Sequence, residues 1–132
     1  MTQRFWGRDD RGQALVELAL VLTILLTLLL GTVEFGRIGH AYLTVLHASR
    51  EGARVGALGY EDKDITARVR AAAASIPDEE LSIQVLPDKG QRFIGEHIEV
   101  SVSHDVHLVV PFFSGILPDP FPVIGRTTMR IE

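Results

Sequence analysis

Apolar residues dominate the first third of the chain. The run over residues 14–33 is twenty residues long, and its one formal charge is Glu17. As a helix it would span about 30 Å, which is enough to cross the hydrocarbon core of a bilayer. A soluble helix would show a polar face about every 3.6 residues, but here the only other polar side chains are Thr23, Thr27 and Thr32. The pattern therefore predicts a transmembrane helix.

The helical pattern continues beyond the apolar run. Residues 13–57 contain no proline, and an unbroken helix of that length would reach about 67 Å. We expect its membrane part to cover about 14–33 and a stalk to cover about 34–57. Leu58-Gly59 provides a glycine-rich helix end.

Small residues recur along the predicted stalk. They stand at intervals of four, which gives one helix face a stripe that permits close backbone approach. The stripe consists of Ala48, Gly52 and Gly56. Two uses of it are open: packing against the domain of the same subunit, or contact between subunits.

The remainder, residues 58–132, is expected to form an extracytoplasmic α+β domain. A short helix is predicted over 61–75, and Pro77 ends it. From Leu81 the apolar period changes to two, which predicts three or four antiparallel strands beside the two helices. The predicted strands cover 81–86, 98–103 with a continuation to Val110, and 123–131.

The loop over residues 111–122 is rich in both proline and phenylalanine. It holds four prolines and three phenylalanines. We expect it to fold inward as a lid over the sheet; a hydrophobic binding tip is the alternative.

Charge and cysteine content exclude several classes of function. Thirteen Lys and Arg face seventeen Asp and Glu, for a net charge of −4, and no clustered basic surface indicates a nucleic-acid partner. Cysteine is absent, which excludes disulfides, thiolate metal sites and a cysteine nucleophile.

Basic residues near the apolar run predict its orientation. Arg4, Arg8 and Arg11 precede it within a short tail. The side of a membrane segment that is richer in nearby basic residues usually stays in the cytoplasm. The N-terminus should therefore be cytoplasmic, and residues beyond about 35 should lie outside.

A glycine and a carboxylate mark the start of the apolar run. Gly12 ends the charged leader, and Glu17 follows five residues later inside the membrane segment, where a carboxylate is energetically expensive. Glu17 could simply lie near the membrane face. If the chain were cut between Gly12 and Gln13, however, the new ammonium group of this subunit or of a neighbour could pair with Glu17. Residues 1–12 would then be a cytoplasmic leader peptide.

Three segments of the chain carry a family resemblance: Arg11–Leu20, Glu34-Phe35-Gly36-Arg37 and Ala48–Arg54. They resemble the TadE-like proteins, which are minor pilins or pseudopilins of bacterial tight-adherence (Tad) pili. The resemblance implies a pilin-like fold and cleavage after Gly12 by a membrane-embedded prepilin peptidase. The motif positions that it singles out are Glu34, Gly36, Arg37, Arg50, Glu51 and Arg54. The proline that the family usually carries within the apolar segment is missing, which should give a straighter helix.

The resemblance also implies partners and a location. The partners are other pilins or pseudopilins, the prepilin peptidase, an inner-membrane assembly platform and membrane lipid. The location is the bacterial cytoplasmic membrane, crossed once, with extraction into a surface pilus as a further step.

No catalytic constellation emerges from the residues. Phosphate-binding glycine motifs and nucleophile elbows are missing from the sequence, so we expect no enzyme and no cofactor. His104 and His107 would lie on opposite faces of a strand, which argues against a metal site. Glu51 and Arg54 are expected to form an exposed ion pair.

Two functions follow. The first is a pilin-like subunit that is processed after Gly12 and takes part in assembly of a Tad-type adhesive pilus. The alternative is an unprocessed single-span membrane protein whose external domain binds a ligand or partner.

Overall fold

The fold is a long apolar helix followed by a small α+β domain, as predicted. The computed structural model describes the backbone of residues 9–132 and the side chains of residues 11–132, so most of the predicted leader, including Arg4 and Arg8, lies outside the described residues. The elements are α1 (Asp9–Ala57), α2 (Asp62–Ala72), β1 (Leu81–Leu86), β2 (His97–Val106) and β3 (Phe121–Arg130), with short 3-10 turns at Asp78–Glu80, Lys89–Gln91 and Pro111–Gly115.

Helix α1 is continuous through the predicted cleavage junction. It is already helical at Asp9, the first described residue, four residues before the predicted start, and it passes Gly12 without a break. It ends as the sequence indicates: Gly59 takes a left-handed φ of +81°, and its N–H donates to the carbonyl of Gly56. Glycine adopts that conformation without the penalty that a Cβ would bring.

The three strands form one antiparallel sheet in the order β1-β2-β3. Val100 of β2 stands opposite Val85 of β1, and Val102 stands opposite Gly125 of β3. Strand β1 has the predicted bounds. The predicted continuation of β2 to Val110 is wrong, because the strand ends at Val106 and the chain then turns toward α1.

One face of the sheet packs on α1 and α2 and forms the core. Alternation along β2 directs Ile98, Val100 and Val102 inward, whereas the other face carries polar side chains. The remaining fully buried apolar side chains come from the two helices: Val45, Ala48, Ala53, Ile65, Val69 and Ala73. The domain therefore uses the second half of α1 as one of its core elements.

The two halves of α1 have different surroundings. From Glu34 to Ala57 the helix lies along the sheet and α2, so the predicted stalk is part of the domain. The apolar half is almost entirely exposed, and it is long and apolar enough to cross a membrane. An exposed apolar surface of this size requires lipid or other subunits around it.

The loop after β2 does not cover the sheet, so the lid prediction is wrong. Phe113 instead lies against α1, with its Cζ 3.2 Å from where a Cβ at Gly31 would stand. Phe112 and Ile116 are exposed. The chain leaves β2 toward the apolar half of the helix because the N–H groups of residues 109 and 110 donate to Glu34, at the boundary between the two halves.

Candidate functional site

The predicted cleavage junction is exposed on α1. Gly12, Gln13 and Glu17 are all exposed to solvent. A Cβ added at Gly12 would meet no atom within 4 Å. A substitution at Gly12 therefore leaves the packing of the domain unchanged and tests recognition of the junction alone.

Glu34 is a buried carboxylate at the boundary between the two halves of α1. Its side chain is only 2% exposed. The N–H of Val109 donates to both carboxylate oxygens at 3.2 and 3.3 Å, and the N–H of Val110 donates to Oε2 at 3.3 Å. Arg37 Nη1 donates to Oε1 at 2.9 Å.

Arg37 completes this group of contacts. Its two Nη atoms also donate to the carbonyl of His107 at 3.4 Å. A buried carboxylate is tolerated where a cation and N–H donors satisfy it. Glu34 and Arg37 therefore fasten the segment after β2 to α1, and we name these contacts the Glu34 clamp.

Gly36 lies within the same motif but outside the clamp. It is exposed, and a Cβ added there would meet no atom within 4 Å. Nothing in the structure explains a glycine at this position.

The small-residue stripe faces the core of its own subunit. A Cβ at Gly52 would stand 2.5 Å from Val69 Cγ2, and one at Gly56 would stand 2.5 Å from Ile98 Cδ1. Ala48 is fully buried on the same face. In the single chain, glycine at 52 and 56 thus lets α2 and β2 approach the helix.

The second half of the motif region lies on the outer face of α1. Arg50 and Arg54 are exposed. Arg68 Nε of α2 donates to Glu51 Oε2 at 3.0 Å, and Arg68 Nη2 contacts the same oxygen. The predicted pairing of Glu51 with Arg54 is wrong, because a residue of α2 takes that place. The hydrogen bond from Arg68 lowers the pKa of the Glu51 carboxyl.

The close histidines do not share a site. His104 Nδ1 lies 3.6 Å from Glu80 Oε2, whereas His107, beyond the end of β2, lies 3.7 Å from Asp119 Oδ1. Among the described residues, no group of three or more His, Asp or Glu side chains is close enough to hold a metal ion.

Two contacts of α1 with β3 were not predicted. Ser49, which is fully buried, shares a hydrogen bond of 2.8 Å with the hydroxyl of Thr127. Gly125 lies against the helix backbone at Val45. A glycine inside a strand is a known signal of close backbone approach, and this signal could have identified Gly125.

Comparison with protein families finds a match within α1. The model of the TadE-like protein family matches residues 12–54. The resemblance to the TadE-like family is confirmed. The match begins at Gly12, includes Glu17 and the Glu34 clamp residues of α1, and ends at Arg54. It covers 43 of the 132 residues, and all of them belong to α1.

The TadE-like match relates the chain to the minor pilins of Tad pili, a structural and non-enzymatic class, and fits a membrane location. Neither the curated proteins nor the solved structures include a significant match to the chain.

Proposed function

We propose that the protein is a minor pilin or pseudopilin that a prepilin peptidase processes after Gly12 and that takes part in assembly of a Tad-type adhesive pilus. The observation that carries this proposal is the extent of the TadE-like match. It starts at the proposed junction and follows α1 through its exposed apolar half.

Processing would change the charge pattern at the membrane face. Hydrolysis of the Gly12–Gln13 peptide bond removes three Arg and two Asp with the leader, so the side-chain charge goes from −4 to −5. It also creates an ammonium group at Gln13, four residues from Glu17 on the same helix face. Because Glu17 is exposed on α1, it is free to pair with the ammonium group of a neighbouring subunit.

The proposed setting follows from this processing. The N-terminus lies in the cytoplasm, α1 crosses the bacterial cytoplasmic membrane once, and the domain, which consists of the second half of α1 and residues 58–132, lies outside. The partners are other pilins or pseudopilins, the prepilin peptidase, the inner-membrane assembly platform and lipid. The excess of arginine before the apolar run supports this orientation.

The mature N-terminus tests the proposal. Intact-mass analysis of protein from its native membrane should find a chain that begins at Gln13. In the Gly12→Leu variant the full chain should persist, because a bulky side chain would occupy the junction. Gly39→Leu is the matched control, since position 39 is also open, lies on the same helix and stands far from the junction.

Two results would contradict the proposal. Wild-type protein of full mass in cells with an active peptidase would favour the unprocessed single-span alternative. Normal processing of Gly12→Leu would show that the peptidase does not depend on Gly12 to recognise the junction.

A further inference from the structure

We propose that residues 109–117, the anchor loop, insert into the lipid leaflet nearest the domain and hold the domain against the membrane surface. The loop carries no charged side chain, and its sequence is Val-Val-Pro-Phe-Phe-Ser-Gly-Ile-Leu. The proposal rests on α1 crossing a membrane and is independent of processing at Gly12.

The position of Phe113 along α1 sets the depth of the loop. Its ring contacts the helix at Gly31 and, with Thr27, Leu28, Thr32 and Phe35, lines an apolar groove of about 470 Å³. Gly31 stands three residues before Glu34, which places it about 4.5 Å from Glu34 along the helix axis, on the side of the apolar half. Phe113 therefore lies beside the apolar half of α1, at a depth where the helix itself would be in lipid.

The loop exposes its large side chains. Phe112 is 64% exposed and Ile116 is 70% exposed, and Val109 is exposed beside them. The rings of Phe112 and Phe113 form an edge-to-face pair, with ring centroids 5.5 Å apart. A cluster of exposed apolar side chains on a monomeric surface marks an interaction site, and Phe and Leu are typical of the apolar face of segments that lie in a membrane interface.

Hydrogen bonds within the loop satisfy several of its polar backbone groups. The N–H of Phe113 donates to the carbonyl of Val110, and the N–H groups of Ile116 and Leu117 donate to the carbonyl of Phe113. The Ser114 hydroxyl donates to the carbonyl of Pro111. These internal bonds reduce the penalty of removing the backbone from water.

Charged groups lie at the base of the loop and apolar groups at its tip. Asp119 Oδ1 accepts from the N–H of Leu108, and the Glu34 clamp holds residues 109 and 110 to α1. An interfacial segment has this arrangement, with polar groups in water and apolar side chains about 5–10 Å into the headgroup and acyl boundary.

Lipid is the occupant that fits the loop best. The exposed side chains are continuous with the apolar half of α1, so any bilayer that surrounds the helix also meets Phe112 and Phe113. A second copy of the chain is the alternative occupant of this surface. The anchor loop would thus set how deep α1 stands in the membrane before assembly.

Fluorescence quenching by lipid tests the anchor loop in the full chain. The only tryptophan is Trp6, so Trp6→Phe provides a tryptophan-free background. Phe112→Trp in that background is reconstituted in phosphatidylcholine vesicles whose acyl chains are brominated near the headgroup. The indole at position 112 should lose at least about half of its fluorescence relative to unbrominated vesicles, as expected for a ring at the acyl boundary.

Ile124→Trp in the same background is the matched control. Ile124 is 51% exposed, but it lies on the outer face of β3. Its indole should lose little fluorescence in brominated vesicles. Near-equal quenching at the two positions would overturn the proposal.

Dilution of the protein in lipid separates lipid from a second subunit. Quenching at position 112 should be unchanged when the lipid-to-protein ratio is raised tenfold. A blue-shifted emission that bromine leaves unquenched, and that disappears on dilution, would assign the loop to a contact between subunits and overturn the lipid assignment. Both substitutions are at exposed positions, and an unchanged unfolding midpoint confirms that each variant is folded.

Discussion

Gly125 of β3 lies directly against the backbone of Val45 in α1. A Cβ at position 125 would stand 2.5 Å from the carbonyl carbon and oxygen of Val45, and at the same distance from the N of Leu46. The strand thus crosses the helix at backbone-to-backbone distance. The adjacent hydrogen bond between Ser49 and Thr127 fixes the position of the strand along the helix.

Gly125→Ala should therefore destabilise the domain by about 3 kcal/mol, at the upper end of the usual overpacking range, because helix backbone cannot move aside as a side chain can. Denaturant unfolding of the full chain in detergent measures the change. Gly90→Ala is the control, since a Cβ there meets nothing within 4 Å. Equal stability of the two variants would refute the close approach.

Gly52→Leu should destabilise the domain by roughly 1–3 kcal/mol, because its side chain would displace Val69 and Val100 from the core. Gly39→Leu is the control on an open face of the same helix, where replacing glycine should be neutral or slightly stabilising. Normal stability of Gly52→Leu with failed assembly would instead place the stripe between subunits.

Glu34→Gln should loosen the segment after β2 and reduce stability by about 1.5–3 kcal/mol, since a charged acceptor of two N–H groups and of Arg37 is lost. Hydrogen exchange at the amides of Val109 and Val110 should accelerate. Glu99→Gln, which removes an ion pair with Arg126 on the outer sheet face, should change stability far less. Unaltered exchange at both amides would show that the clamp does not hold the segment.

Acid should weaken two contacts outside the membrane. A hydrogen bond from Arg68 lowers the pKa of Glu51, and one from Lys89 lowers the pKa of Glu61. A carboxyl whose pKa is lower in the folded state contributes stability above its unfolded pKa, and that stability disappears as the pH falls through the folded pKa. The unfolding midpoint should thus fall on acidification below about pH 4.5.

The double variant Glu51→Gln/Glu61→Gln should lose less of its midpoint over the same acid range than the wild type does. Salt should reduce the difference, because solvent reaches both pairs. Parallel acid profiles of the two proteins would show that the pairs carry none of the pH dependence.

Glu17→Gln should be inserted and cut normally yet recruited poorly into pili. It keeps the shape of the side chain but removes the charge that would pair with a terminal ammonium group, and that pair would set the axial register of neighbouring helices more than their stability. Cleavage followed by mass, and incorporation followed by shearing and immunodetection, separate the two steps. Failed cleavage would show that Glu17 acts in recognition by the peptidase. Normal incorporation into pili would show that Glu17 does not set the axial register.

The elements that local patterns specify were predicted well. The apolar run and the absence of proline identified α1, and period-two alternation identified β1 with its observed bounds. Both signals depend on neighbours within a few residues. The same reasoning singled out Gly52 and Gly56, because spacing along a helix determines which residues share a face.

Contacts between distant segments were beyond such patterns. Glu34 accepts from amides that are 75 and 76 residues away, and Glu51 pairs with a residue of α2 rather than with Arg54. The loop of residues 111–122 was expected over the sheet because its side chains are apolar. Apolar content alone does not predict whether the loop packs on the sheet or on the apolar half of α1. The Glu34 clamp directs it to α1.

The two halves of α1 also differ in stiffness. In the apolar half, the hydroxyls of Thr23, Thr27 and Thr32 donate to carbonyls four residues earlier, a pattern that slightly weakens and bends helices. Thr44 makes the same bond in the other half, but there the helix is supported from outside. From Glu34 onward the sheet and α2 splint the helix along one side. Tension applied along α1 should therefore stretch its apolar half first, because the sheet and α2 hold the other half.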